Sequence, residues 1–187
     1  MSLLTNARGL SHEYGRRVVQ TGDTVIDATM GNGNDTLFLC ELVGESGCVH
    51  AFDIQEEAYR RTKEKINEAG YQSRVCLHLM GHQEMESVVE GPVSLVMFNL
   101  GYLPAGDKKI TTLWENTQKA VEAALRLLKT GGLLLVCIYP GHEEGSREKS
   151  GLIGWAQDLP QRLYNVLYCE FSNQKHDAPS LLIVQKE

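Results

Sequence analysis

Short apolar runs rich in β-branched residues alternate with longer stretches whose apolar positions recur every three or four residues, from one end of the chain to the other. A strand buries alternate or all side chains over a few residues, whereas a helix on a globular protein keeps one apolar stripe. The runs 24–29, 48–54, 75–80, 93–100, 132–139, 165–171 and 180–185 therefore predict strands. The stretches 35–43, 56–69, 112–129 and 146–159 predict helices, with a short one at 83–89. An opening helix over 3–19 is expected to pack beside the first strand. Arg126 and Lys129 followed by Gly131 and Gly132 give the cation-then-glycine ending of a helix C-terminus. Strand and helix in alternation predict an α/β fold, a doubly wound and mostly parallel sheet with helices on both faces. The last two strands are joined by NQKHDAP, too short for a helical crossover, so they form an antiparallel terminal hairpin. The expectation is one domain over 1–187 with a seven-stranded Rossmann-like sheet. A dinucleotide-binding dehydrogenase would need a further parallel strand and usually a substrate domain, and the chain has room for neither.

The first predicted strand runs into DATMGNGNDT, residues 27–36. Gly31 and Gly33 allow a sharp turn and close approach of a ligand, and Asn34 or Asp35 can cap the next helix. The spacing is not GxGxxG, and Asp35 at a helix start would repel a pyrophosphate. A ligand without phosphate fits better, and S-adenosylmethionine, with an amino acid end, a ribose and a sulfonium, is one. Asn32 and Thr36 complete this loop, and Asp27 either meets the ligand's ammonium or braces the turn. Asp53 ends the second strand, where a carboxylate accepts hydrogen bonds from ribose hydroxyls, with Ile54 and Gln55 beside it. In MGHQEM, His82 and Gln83 are placed beside the adenine, with Gly81 and Glu84 as alternatives.

The fourth strand ends in FNLGYLP, which puts Asn99, Leu100, Gly101 and Tyr102 at the sheet edge that carries the reactive crevice of open α/β folds. Asn99 and Leu100 border both cofactor and acceptor. The segment resembles the (N/D)PPY motif of methyltransferases acting on exocyclic amines, with Leu100 and Gly101 replacing the prolines. In that motif the Asn oxygen aims an amine lone pair and the Tyr ring stacks on a base. An alkylamine is mostly protonated at neutral pH, and His142 in YPGHEEG is the candidate that takes its proton. Glu143 and Glu144 lie on the same edge, and His176 and Asp177 either contact substrate or face solvent.

The five cysteines, Cys40, Cys48, Cys76, Cys137 and Cys169, include no CxxC pair, and none is expected to hold a metal. A formal charge of −6 argues against unspecific grip on nucleic acid, so an RNA partner needs a local basic face. Candidates are Arg16 with Arg17, the 60–65 segment, Lys108 with Lys109, and Arg147 with Lys149, although interleaved glutamates make 60–65 read as a solvated helix surface. No apolar run reaches the length of a membrane span and no leader is evident, so the expected location is the cytoplasm.

Taken together, DATMGNGNDT, AFDIQ, NLGYLP with the following GDK, and YPGHEEG resemble the small bacterial class I methyltransferases of the MnmM or YtqB type, long classed as rRNA methylases. The terminal hairpin agrees with the methyltransferase version of the doubly wound sheet. The resemblance implies methylation of the amine of 5-aminomethyluridine at the wobble position of tRNA, with the single-stranded anticodon loop as partner. It matches Gly31, Asn32, Gly33, Asp35 and Thr36 to the cofactor loop, Asp53 to the ribose and Asn99, Gly101 and Tyr102 to the acceptor side. It assigns no role to Arg8 or His12, and a homodimer is expected to extend the RNA surface. The alternatives are an rRNA base or another amine as acceptor, or a cofactor-binding module without catalysis.

Overall fold

A computed structural model describes residues 6–103, 110–174 and 177–187. The described elements, in chain order, are α1 (Ala7–Val18), β1 (Thr24–Asp27), α2 (Asn34–Val43), β2 (Cys48–Asp53), α3 (Glu56–Ala69), β3 (Val75–Leu79), β4 (Val93–Asn99), α4 (Trp114–Leu127), β5 (Leu128–Ile138), α5 (Glu143–Gln157), β6 (Tyr164–Cys169) and β7 (Ser180–Lys186). A 3-10 helix at His82–Ser87 takes the place of the short helix expected at 83–89.

The strands form one seven-stranded sheet in the order β3-β2-β1-β4-β5-β7-β6. β1 to β5 run parallel, while β7 pairs antiparallel with β5 and with β6. The expected terminal hairpin is therefore present, with its second strand inserted inward and β6 left at the edge. The chain reverses its direction of travel along the sheet between β1 and β4, and such a switch opens a crevice beyond the strands' C-terminal ends.

Side chains alternate between the faces of a strand, which splits the core in two. Ile26, Phe52, Val96, Phe98, Leu134 and Val136 meet α4 and α5 through Ala120, Ala124, Leu152 and Ala156. Val25, Val49, Leu95, Met97 and Leu135 meet Ala7 of α1, Phe38, Leu39 and Val43 of α2, and Ile66 of α3.

Two expectations are corrected. α1 lies against β4, β5 and β7 rather than beside β1. β5 begins at Leu128, earlier than the expected 132, because Leu128 pairs with Val93 before a register shift brings Leu133 to Leu95. No helix among the described residues is long and apolar enough to cross a membrane.

Candidate active site

The crevice at the C-terminal ends of β1, β2 and β4 opens into a pocket of about 660 Å³. Gly31, Asn32, Asn34 and Asp35 line it from the first turn, Asp53, Ile54 and Gln55 from the second, and His82 and Gln83 from the third. Asn99, Leu100 and Tyr102 close it from β4, and His142 and Tyr139 from the β5–α5 connection. The fold thus gathers residues from every segment that the sequence singled out. Three expected cofactor residues do not line it: Asp27 and Thr36 are buried, and Gly33 faces α3.

Gly33, not Asn34 or Asp35, is the N-cap of α2, and its φ of 73° is one that L side chains rarely adopt. A Cβ there would also sit 2.9 Å from the Thr62 hydroxyl, so the glycine lets α3 close on the loop. The Thr62 hydroxyl in turn donates to the Gly31 carbonyl at 3.1 Å. Beneath the loop, the Thr36 hydroxyl and the Thr29 N–H donate to the Asp27 carboxyl at 2.7 and 3.2 Å, which makes Asp27 a brace.

Burial, followed by the charge of Asp35, pushes the Asp27 carboxyl up to about 7. The unfolded chain releases that proton near the ordinary carboxylate pKa of about 3.9. The stability this group contributes is therefore full below about pH 4 and is lost as pH rises through about 7. Asp27→Asn should reduce the difference between urea midpoints measured at about pH 5 and about pH 8, and an unchanged difference would count against the assignment.

Asp53 accepts from the Gly31 N–H at 3.1 Å and the Gln55 N–H at 3.0 Å, so the carboxyl joins the glycine loop to the end of β2. Burial raises its pKa, with backbone N–H donors acting in the opposite direction. Ile54 beside it is 60% exposed although it lines the pocket, an apolar surface suited to a flat ring. His82 is buried and pushed down to about 4, so its ring is neutral, and Nδ1–H donates to the Ala28 carbonyl at 3.1 Å. That leaves Nε2 as an acceptor. If Asp53 holds a ribose through two hydroxyls, Asp53→Ala should weaken S-adenosylhomocysteine binding about 100-fold, at about 1.5 kcal/mol per charged hydrogen bond. Calorimetric titration reads this directly, and a loss under about fivefold would remove Asp53 from the ribose.

Asp35 is the centre of a network that no sequence motif announced. Its Oδ1 accepts from Arg8 Nε at 2.8 Å and meets His12 Nε2 at 2.7 Å, while its Oδ2 accepts from the Asn99 amide. Burial opposes ionisation of Asp35, but His12 and Arg8 outweigh it and hold the carboxyl below the usual range. An ionised carboxylate only accepts, so it fixes Asn99 with Nδ2 toward Asp35 and Oδ1 away from it. Asn99 Oδ1 lies 3.4 Å from the Tyr139 hydroxyl, and the Asn99 N–H donates to Thr29 Oγ1 at 2.7 Å. Arg8 and His12 sit one helical turn apart on one face of α1, a pairing that identifies their partner only once α1 is placed over the sheet.

The acceptor segment departs from a diproline geometry. Gly101 has a φ of 120°, and a proline is held near −65°. The loop is pinned by hydrogen bonds instead. Thr112 Oγ1 accepts from the Gly101 N–H at 2.9 Å and donates to Glu148 at 2.6 Å, and Glu148 also accepts from Thr117 at 2.6 Å. Burial raises the pKa of Glu148. His142 is the N-cap of α5, which starts three residues earlier than the expected 146. Its Nδ1 accepts from the Gly145 N–H at 3.0 Å, which in the neutral tautomer places the N–H on Nε2. Nε2 is buried without a partner among the described residues and points toward Gly101. The Tyr102 ring lies 5.7 Å from that of His142.

The expected basic face is largely neutralised. Arg16 pairs with Glu13, Arg60 and Arg61 with Glu57, Arg147 with Glu144 and Lys149 with Glu170. Lys108, Lys109 and His176 lie outside the described residues, and Asp177 lines the pocket.

A family model described as "Putative rRNA methylase" matches residues 49–185. A "tRNA (mnm(5)s(2)U34)-methyltransferase, chloroplastic" of Arabidopsis thaliana is 41% identical, over 95% of this chain and 68% of its own. The crystal structure of a "putative rRNA-methylase" from Clostridium thermocellum is 43% identical and superposes with a TM-score of 0.97, covering 98% of this chain and 99% of that one. A "putative methyltransferase" from Streptococcus mutans, solved in complex with SAH, is 35% identical with a TM-score of 0.90 over 98% of this chain and 99% of that one.

Proposed function

The chain belongs to the rRNA methylase family of S-adenosylmethionine-dependent methyltransferases, and from that membership and the geometry of its pocket we propose that it methylates the primary amine of 5-aminomethyluridine at the wobble position of tRNA. The product is the 5-methylaminomethyl form. Supporting this acceptor, a relative 41% identical over 95% of this chain carries mnm(5)s(2)U34 of tRNA in its name.

The residues fit the cofactor. Asp53 offers a half-buried carboxylate for the ribose, Ile54 and neutral His82 an apolar and an accepting surface for the adenine, and the Gly31 turn a close approach for the amino acid end. When bound, S-adenosylmethionine supplies an electrophilic methyl group on a sulfonium.

The observation that carries the reading is the fixed amide of Asn99. With Nδ2 held by Asp35, Oδ1 is the acceptor presented at the crevice, and it suits the N–H of an incoming amine. Accepting that bond turns the nitrogen lone pair toward the cofactor side of the pocket, a gain from positioning. The protonated form of the amine would be disfavoured beside the positive sulfonium of bound S-adenosylmethionine, so the neutral form is the one that reacts. The exposed face of Tyr102 suits stacking on the uracil ring, and His142 Nε2–H is a donor aimed at the same loop. In this reading His142 holds the acceptor nucleotide, and the amine's proton leaves to water.

A cytoplasmic site of action and a homodimer belong to the same proposal. Leu163, Val166 and Leu167 are exposed at the free β6 edge, and an apolar edge strand suits pairing with a second copy.

The test is incubation of the purified protein with methyl-labelled S-adenosylmethionine and tRNA from a strain that accumulates 5-aminomethyluridine, followed by nucleoside analysis. Label in 5-methylaminomethyluridine is expected. Label confined to rRNA, or cofactor binding without label in any RNA, would overturn the acceptor and leave the family standing.

A further inference from the structure

Outside the pocket, a group of soft ligands meets at the β3 edge of the sheet. Side chains two apart on a strand share a face, so Cys48, His50 and Phe52 of β2 project on the same side. The parallel register sets Cys76 beside His50 and His78 beside Phe52, on that same side. Cys48 and Cys76 therefore approach along one diagonal, with their sulfurs 4.0 Å apart, and His50 and His78 along the next. A ring nitrogen of His50 and both sulfurs all lie within 4.8 Å of one another. His50 Nδ1 is 3.1 Å from His78 Nε2 with the rings nearly parallel, and Phe52 stacks on the far ring at 4.5 Å.

The sulfur separation is far longer than a disulfide's bond of about 2.05 Å. It is close to the edge of about 3.8 Å that a tetrahedral ion with metal–sulfur bonds of about 2.3 Å requires. Two thiolates and an imidazole favour a borderline-soft ion of zinc type over hard calcium or magnesium, which take oxygen ligands. We propose that Cys48, His50 and Cys76 form a zinc-type binding site, with His78 holding the His50 ring from behind. His78 then plays the part of the outer hydrogen-bonding partner that metal-ligating histidines usually have, and Phe52 keeps it in place. The cysteines show neither CxxC nor a histidine at the usual within-segment ligand spacing; the pattern here is Cys-x-His on each of two neighbouring strands.

Such an ion would clip β3, an edge strand, to β2. The two strands lead into Asp53 and into the His82 turn, yet the three ligands sit in the first half of β2 and beside it, at least three residues before Asp53. Its effect is on stability, and methyl transfer under saturating cofactor is expected to stay within about twofold of wild type when the site is removed.

The test uses the full chain, reduced and stripped of metal, with Co²⁺ as the probe and Zn²⁺ as competitor. One Co²⁺ per chain is expected, with sulfur-to-metal charge-transfer bands and the strong visible bands of four-coordinate cobalt, all lost on adding Zn²⁺. Cys48→Ser and Cys76→Ser should each abolish the bands, and His78→Gln should weaken binding about 10- to 100-fold while S-adenosylhomocysteine binding confirms that each variant is folded. Zn²⁺ should raise the Tm of the wild type and leave that of the cysteine variants unchanged. Bands that persist in both cysteine variants would overturn the proposal. So would reduced protein that takes up no metal while oxidised protein shows a Cys48–Cys76 disulfide.

Discussion

Asn99→Ala is expected to lower kcat about 10²- to 10³-fold while changing S-adenosylhomocysteine affinity by no more than about threefold, the loss typical of removing one preorganised polar group from a reacting centre. The amide is fixed by Asp35 on one side and by the Thr29 hydroxyl at its own backbone N–H, so little of its stabilising effect is lost to reorientation. Asn99→Asp should do no better, because a second carboxylate against Asp35 forces one of the pair to hold a proton, and a protonated carboxyl in place of the amide is an altered acceptor. Single-turnover transfer of labelled methyl, beside a calorimetric titration, separates rate from affinity. Equal losses in both would mean that Asn99 serves the cofactor and not the acceptor.

Asp35→Ala is expected to have the larger effect on folding. It leaves the Arg8 guanidinium and the Asn99 amide without the acceptor they share and removes the partner of His12. Removing one member of a buried ion pair costs about 3–5 kcal/mol, and the partial exposure of Arg8 brings the figure here to the lower end, about 3 kcal/mol. For a domain of this size that corresponds to a Tm lower by about 6–12 °C. The surviving folded protein should also be slow, since Asn99 is then free to turn its amide over. Asp35→Asn keeps the volume but presents a donor or a single acceptor, and its kcat should fall more than its Tm. Thermal unfolding followed by circular dichroism, with kcat on the same samples, is the measurement. A Tm within about 1 °C of wild type would show that the network contributes no net stability.

The sheet, its hairpin and much of the pocket's lining are legible because they follow from local pattern, whereas Asp27, Gly33 and Thr36 turn inward beneath the loop. Asp53, His82, Asn99 and His142 each end or follow an apolar run, and in an open α/β sheet those positions converge. What could not be seen was anything that depends on which elements become neighbours. Arg8 reaches Asp35 only because α1 crosses to β4, β5 and β7, a placement that its own amphipathic pattern does not specify. The same holds for Cys48 and Cys76, which are 28 residues apart and meet through the register of β2 with β3. The starts of β5 and α5 were misjudged for a different reason. Lys129, Thr130 and the glycines after them carry no apolar alternation, and a histidine is an uncommon N-cap.

The Glu148 cluster has a consequence for motion. One carboxyl on α5 gathers Thr117 of α4 and, through Thr112, the Gly101 amide of the acceptor segment. Freeing the Gly101 N–H is therefore expected to require an opening that disturbs this shared carboxyl, rather than the simple fraying of a surface loop. Gly101 and Thr112 are thus tied to α5 through Glu148 without help from a substrate, which lowers the ordering cost of binding beside them.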